Sequence, residues 1–492
     1  MTKHLVEIFA KTKKDLRNLE DLNLDIKTRT ANKEDENKYS VTGILSAKEI
    51  EEVNSKGYQT DIILDLSKEA TNRLKEVSSI NRFSDVGSLS EILTRVSAQY
   101  LNTEEVESIL ATLHRLYPEM VKIIELPEKT CELRTSHAVL LHGHENSYNG
   151  VSSSGRAGVL FTGSMHAREW GGSDICINFL VNLINSYNTG IDLSYGDMTF
   201  PAHKIREMLD NINVIVFPNV NPDGKKYSQT ADDTGIPTSK EDIWWRKNRN
   251  PDLVPNGDNP NHATGVDINR NFDFLWSSGI NTVNKNGTNS SETYRGKAAF
   301  SEPESRNVKS IFDNYKNICY FVDIHSCGGK ILYSWGDDSD QSIDPQMNFT
   351  NPAYNGVRGI LKGNGAKEYK EYIPKDDHSM VIYLANMMNG ALTMVRGQPY
   401  KVEQSVGLYA TSACSDDYAY SRHIKQKNDS KVYSFTIEFG SNKTGFITPI
   451  TEMRNIIEEI SSSMTELCIL AYSSIPGARH LTSTPSASLR HN

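Results

Sequence analysis

The sequence predicts an α/β protein: a mixed, largely parallel sheet with helices on both faces, preceded by a small N-terminal α/β sandwich. Three observations predict it. From about residue 95 onward, short apolar runs alternate with helical patterns, which is how βα units stack into a sheet covered on both sides. Residues 1–80 compress two βα units and one more strand into a stretch sufficient only for a small sandwich. At 492 residues the chain is too long for one ordinary core. The expected organisation is therefore 1–80 as the small sandwich, 81–94 as connector, 95–476 as the main domain and 477–492 as a disordered tail.

In chain order, residues 3–10 read as a strand, 12–21 as a helix with Thr12 as N-cap, 40–45 as a strand, 46–55 as a helix and 58–65 as a strand. The polar stretch Thr30–Lys38 reads as a loop, and Ser67–Ser88 as a helical or irregular connector. Asn102 or Thr103, followed by acidic residues, caps a helix that runs to Pro118. Beyond it, strands are expected near 136–142, 158–163, 212–217, 319–324, 391–395 and 432–439. Helices are expected near 174–187, 203–210, 303–315, 378–389 and 450–470. The Asn-, Gly- and Pro-rich stretch 222–300 is too long to be an idle connection, and such loops usually carry function.

The formal net charge of -9 is spread over mixed acidic and basic residues, so the one-sided basic footprint of a nucleic-acid binder is missing. No apolar run reaches the roughly 18 residues of a membrane span, and charged residues interrupt the start where a secretory signal has its apolar run. The expectation is a soluble chain without such a signal, with compartment and oligomeric state left open. Six widely spaced cysteines, without a CxxC cluster, read as reduced thiols rather than a disulfide framework or a thiolate metal site. Cys327 and Cys414 lie beside functional segments but have no base partner in the sequence.

Chemistry concentrates where apolar runs end. AGVLFTGSM leads into His166-Ala-Arg-Glu169-Trp170, CYFVDI into His325, and VYSFTI into Glu438. Strands ending this way deliver four polar side chains to one sheet edge, where open α/β sheets bind ligands. Two imidazoles and one carboxylate can hold a catalytic Zn²⁺ with a position left for water, and a further glutamate can take that water's proton. The reading is metal-assisted hydrolysis with one Zn²⁺ per chain.

The wider pattern resembles the zinc carboxypeptidases of the carboxypeptidase A/B type, the funnelin metallopeptidases. The segments that carry the resemblance are His166–Trp170, Asn219-Val-Asn-Pro-Asp-Gly224, Trp245-Arg-Lys-Asn-Arg249, Gly265-Val-Asp-Ile-Asn-Arg-Asn271, Tyr294-Arg-Gly296 with Phe300-Ser-Glu-Pro-Glu304, Asp323-Ile-His-Ser326 and Tyr433-Ser-Phe-Thr-Ile-Glu438. They stand in the family's order and cover about residues 95–472. The resemblance implies that residues 1–80 are similar to a pro-domain. It also implies that His166, Glu169 and His325 are the metal ligands, with Asp267 the carboxylate partner of His166.

It further implies Glu438 as general base and Arg246 as the cation that stabilises the oxyanion. Asn269 and Arg270 become the clamp for the substrate's terminal carboxylate, Arg168 an auxiliary anion contact and Tyr409 a mobile residue closing over bound peptide. In Ser415-Asp-Asp-Tyr418, Asp416 matches the specificity position and favours C-terminal Lys or Arg, while Asp417 is structural. Expected partners are peptide or protein C-termini.

Three departures bear on specificity. Ala413-Cys414 replaces a usual glycine pair, Cys327-Gly-Gly329 follows His325 where the family often has tyrosine, and residues 336–380 form an insertion readable as a lid or as decoration. A zymogen reading has residues 1–80 covering the cleft, with processing in 78–95 at Arg82 or Arg95. The competing readings are a catalytically silent peptide-binding pseudo-enzyme and a related zinc amidohydrolase, a deacylase or deglutamylase.

Overall fold

Sixteen strands, numbered β1 to β16 in chain order, and twelve α-helices occur among the described residues of the computed structural model. Those residues are 3–22, 24–143, 155–230, 242–251, 264–278, 280, 292–359, 369–407 and 409–474. The expectation of a disordered tail at 477–492 lies outside them. Among them no helix is long and apolar enough to cross a membrane.

The N-terminal unit is an antiparallel sheet of β1 (Lys3–Ala10), β2 (Asp25–Asp35), β3 (Lys38–Ser46) and β4 (Gln59–Asp65), in the order β2-β3-β1-β4. Its helices are Lys13–Asn18, Ala47–Ser55 and Leu66–Leu74. Thr12 caps the first through Asp15 N, and the helix passes at once into a 3-10 turn, Leu19–Leu22. Ser46 and Glu49 close a reciprocal capping box on the second. Val6, Ile8, Leu16, Leu45 and Val53 form the small core.

The expected loop at Thr30–Lys38 is corrected: β2 runs through residue 35. β2 is an edge strand, held by backbone hydrogen bonds to β3 alone, so it needs no apolar alternation and its polar side chains disguise it.

The main sheet contains β5 (Val121–Glu125), β6 (His137–Leu141), β7 (Ala157–Gly163), β10 (Ile212–Phe217), β11 (Ile318–Ser326), β12 (Lys330–Tyr333), β15 (Lys401–Gln404) and β16 (Tyr433–Phe439). Their order is β15-β12-β16-β11-β7-β10-β6-β5. The central run β16-β11-β7-β10 is parallel, and β6, β5 and β12 pair antiparallel at its flanks. All six residues of β10 are buried, as a strand covered on both faces requires. Helices Gly171–Thr189 and Ile450–Ser473 pack on each other and on β7, and Ser415–Lys425 packs on β11 and β16. Minor ladders join β8 (Leu193–Tyr195) to β9 (Met198–Phe200), and β13 (Asp340–Gln341) to β14 (Glu371–Tyr372).

The expected strand at 391–395 is corrected. It is the last part of one helix, Lys375–Arg396, which ends at Gly397 with φ +75°. A short apolar run cannot by itself distinguish strand from buried helix, and Asn389-Gly390 just before it reads as a break although the helix continues through both residues. β12 and β15 escaped notice because each has four residues and opens on a lysine. The long stretch 222–300 opens with a helix, Pro222–Gln229, capped by the Asn221 side chain with proline in its first turn. Phe83, Val86, Leu89 and Ile92 of the expected connector sink into the large core rather than hanging free.

Candidate active site

Parallel pairing aligns the functional strands. His325 on β11 is in register with Glu438 on β16, and Ile324 is in register with Gly163 at the end of β7. The chain then turns before helix Gly171–Thr189, and that turn carries His166 and Glu169. Arg246 O accepts from Ala167 N at 3.0 Å and pins it.

His166 Nδ1 lies 2.8 Å from Glu169 Oε1, His325 Nδ1 lies 2.9 Å from Glu169 Oε2, and the two Nδ1 atoms are 3.1 Å apart. All three residues are buried, and one ligand atom from each falls within 4.8 Å of the others, so the set fits a single metal ion. The far ring nitrogens turn outward to carboxylates: His166 Nε2 meets Asp267 Oδ1 at 3.2 Å, and His325 Nε2 meets Asp323 Oδ2 at 2.8 Å. That is the arrangement by which outer partners orient ligating histidines.

Charge is concentrated here. Burial works to raise the Glu169 carboxyl, but His166 and His325 outweigh it and hold it well below the usual range. Asp267 is likewise held low, against its burial, by Arg246 and His166. Burial disfavours a charged His325, yet Asp323 and Glu169 hold its imidazole well above the ordinary value. A pocket that draws a proton onto this ring has the negative potential that a divalent cation satisfies.

Of the other predicted residues, Arg168, Arg246, Asn269, Arg270 and Glu438 line one cavity with His166 and Glu169. Arg246 donates to Asp267 Oδ2 through Nε at 3.1 Å and Nη2 at 2.9 Å. Burial would lower this guanidinium, but Asp267 and Glu169 raise it. Asn269 Oδ1 accepts from Ser415 N at 2.8 Å, and its amide nitrogen lies 3.2 Å from His325 Nε2. Arg270 donates to Asn269 O at 2.7 Å and contacts Cys414 Sγ at 3.3 Å.

Asp416 is wholly buried, accepting from Ser405 Oγ at 3.1 Å and Thr436 Oγ1 at 3.0 Å. Asp417 accepts from Gly336 N, which ties it to the start of the insertion. Phe349 of that insertion, and Trp335 just before it, pack against Phe274. Ala413 sits at φ +60°, the left-handed region that suits glycine. Tyr409 stands apart from the cavity: it joins the core of the N-terminal unit and donates to Leu16 O at 2.7 Å.

Sequence reasoning missed Asp323 and everything β2 contributes. Asp323 was legible as an acidic residue in an apolar strand, two positions before His325 and hence on the same face. The contribution of β2 had no such signal. Asp25 grips Arg168 with both oxygens at 2.8 and 3.1 Å. Lys27 Nζ lies 3.2 Å from the centre of the Phe446 ring, and Arg29 Nη1 donates to Glu438 Oε1 at 3.2 Å.

Comparison with known proteins agrees with this geometry. Residues 106–463 match the family model described as zinc carboxypeptidase. Carboxypeptidase O of Bos taurus is 28% identical over 298 residues, covering 60% of this chain and 60% of that protein, so the match spans less than two thirds of its length. Carboxypeptidase B of Astacus astacus is 26% identical over 354 residues, covering 71% of this chain and 89% of that protein. The fold is shared with thrombin activatable fibrinolysis inhibitor, at TM-score 0.66 and 20% identity over 96% of this chain and all of that one. It is shared too with carboxypeptidase A of Helicoverpa armigera, at TM-score 0.64 and 21% identity over 96% of this chain and 98% of that one. A matching family model over most of its length, and a buried His-Glu-His group able to hold the metal, lead to one conclusion: the chain belongs to the zinc carboxypeptidase family.

Proposed function

We propose that the chain is a metallocarboxypeptidase that removes the C-terminal residue of peptides and proteins. The observation that carries the reading is the meeting of His166, Glu169 and His325 around one point, with Glu438 in register on the neighbouring strand. A Zn²⁺ held by those three residues supplies Lewis acidity and lowers the pKa of bound water toward ~7. Glu438 accepts the proton from the attacking water and returns it to the departing amine. Arg246, set by its two bonds to Asp267, neutralises charge developing on the former carbonyl oxygen.

Asn269 and Arg270 take the substrate's terminal carboxylate, for which a guanidinium fork is well shaped, and Arg168 adds a second anion contact. Asp416 selects Lys or Arg, because a buried carboxylate gains most from a cationic partner. Tyr409 swings over bound peptide once the N-terminal unit no longer holds it. Residues 1–80 act as a pro-domain and 95–476 as the catalytic domain. Within the proposed processing stretch 78–95, Ile80 is 70% exposed, whereas Arg82 is tied to the buried Glu105 carboxylate at 2.6 Å. Cleavage beside Ile80 is therefore favoured over cleavage at Arg82.

The test is mass spectrometry of a peptide library presenting every C-terminal residue, before and after limited proteolysis, with and without chelator. Shortening by one residue, strongest for Lys and Arg, abolished by chelator and enhanced by proteolysis, is expected. Release of side-chain glutamate or acyl groups without shortening, or no turnover by a zinc-loaded chain, overturns the reading.

A further inference from the structure

β2 does more than lie across the cavity. Its ladder with β3 is broken: Lys27 pairs with Thr42 and Asn32 with Ser40, so five residue steps on one strand face two on the other. The surplus, Thr28–Ala31, bulges out of the sheet toward the catalytic unit. Such bulges re-aim side chains. This one is held at both ends. Thr30 Oγ1 donates to Lys27 O at 2.7 Å and accepts from Thr42 N at 2.9 Å, while Lys330 Nζ donates to Ala31 O at 3.2 Å.

The bulge presents Arg29. Its side chain is 12% exposed, its Nη1 bonds Glu438, and its Nη2 is buried without a hydrogen-bond partner. The carboxylates facing this guanidinium are Asp416, Glu438 and Asp323, and Ser405, which donates to Asp416 at 3.1 Å, lines a cavity with Arg29. Along the same strand, Asp25 offers a carboxylate to Arg168. Over five residues the strand thus displays a carboxylate and a guanidinium to an arginine and to the carboxylate pocket beyond it, the two charges carried by a peptide ending in arginine.

We propose that Arg29 is an internal substrate mimic: its side chain occupies the space of a basic C-terminal side chain between Glu438 and Asp416, so that the intact chain is closed at its specificity pocket and not merely shaded by a neighbouring unit. This deepens the function proposed above and rests on Asp416 as the recognition carboxylate. It gives Arg29 two effects, filling the pocket and engaging the proton acceptor.

The experiment uses the zinc-loaded intact chain as wild type, Arg29→Ala, Arg29→Lys and the double variant Arg29→Ala/Asp416→Asn, with melting curves to establish folding. Calorimetric titrations use L-arginine and L-leucine as probes, and hydrolysis is measured on acylated dipeptides ending in Arg or Phe. The expected result is that Arg29→Ala binds L-arginine more tightly than wild type by on the order of tenfold or more, without a matching gain for L-leucine. Arg29→Lys stays closed, and the double variant loses the gain. If Arg29→Ala does not fold, Arg29→Gln, which keeps length without charge, carries the same test.

No gain for L-arginine, or an equal gain for L-leucine, overturns the proposal. The two readings fail separately. Selective L-arginine binding by Arg29→Ala, with no hydrolysis of either peptide even after limited proteolysis, keeps the mimic and removes the peptidase. Hydrolysis of both peptides without selective L-arginine binding keeps the peptidase and removes the mimic.

Discussion

The floor and the roof of the cavity are built by different physics. The floor is the carboxyl edge of β7, β11 and β16, where strand ends are locked by parallel pairing and both histidines are braced by buried carboxylates: His166 by Asp267, His325 by Asp323, Asp323 in turn by Thr162 at 2.7 Å. The roof is one bulged edge strand attached by a few charge pairs, Asp25 to Arg168 and Arg29 to Glu438, and by Lys27 over Phe446. A scaffold that positions reacting atoms needs dense mutual bracing. On the pro-domain reading proposed above, a cover that comes away needs contacts that are specific but few. Altering the floor should therefore destroy activity, and altering the roof should release it.

The largest expected effect is on the floor. Glu438→Gln keeps shape but removes the proposed proton acceptor, and should lower kcat of the proteolysed protein by roughly 10²–10⁴-fold with metal content unchanged. His166→Ala should instead lose the metal, read by zinc content after dialysis. If Glu438→Gln retained wild-type kcat, the contrast between floor and roof would lose its chemical basis.

Next comes the roof. Asp25→Ala leaves the buried Arg168 without its bidentate partner, and breaking a buried pair on one side costs about 3–5 kcal/mol. The expected outcome is weaker docking of the N-terminal unit, seen as faster hydrogen exchange in β2 and greater activity of the uncut chain. Unchanged exchange in β2 would mean that apolar contacts, not charge, hold the roof.

A third prediction probes the support beneath Arg246. Glu304 is wholly buried, accepts from Asn248 Nδ2 at 3.0 Å, and is pushed by burial from the ordinary 4.5 up to about 8. Between those values the folded chain keeps a proton that the unfolded chain has lost, so this contribution is full below 4.5 and disappears as pH rises toward 8. The effect is on the order of a few kcal/mol at most. Glu304→Gln, permanently neutral, should flatten the fall of the melting midpoint across that window; an unaltered slope would place the titration elsewhere.

The smallest effect concerns the wall between the two. Ala413 holds φ +60°, so Ala413→Gly should relieve strain worth about 1–2 kcal/mol, partly offset by the freedom glycine adds to the unfolded chain. A small rise in the melting midpoint is expected. A fall would show that the alanine methyl makes packing contacts that compensate for its backbone.

Much of the floor was legible in advance. An apolar run that stops at a histidine or glutamate is a local signal, and parallel strands must end at a common edge, so His166, Glu169, His325 and Glu438 were predictable as neighbours. Asp323 was visible as an acidic residue on the same face of β11 as His325 but went unread. Elements whose pattern was polar or short, β2, β12 and β15, were missed or read as loops, because backbone pairing holds them where side-chain periodicity is silent. The strand expected at 391–395 failed for the opposite reason, an apolar run continuing a helix.

The sequence by itself determined the kind of chemistry: ligand types, their order, their places at strand ends and the family that shares them follow from residues close together in the chain. Only the tertiary structure decided what lies over that chemistry. Arg29 and Glu438 are 409 positions apart, and Leu16 and Tyr409 are 393 apart. Whether such pairs meet depends on strand order and on the extra residues of one bulge, which place an arginine against a buried carboxylate without leaving any periodic trace in the chain.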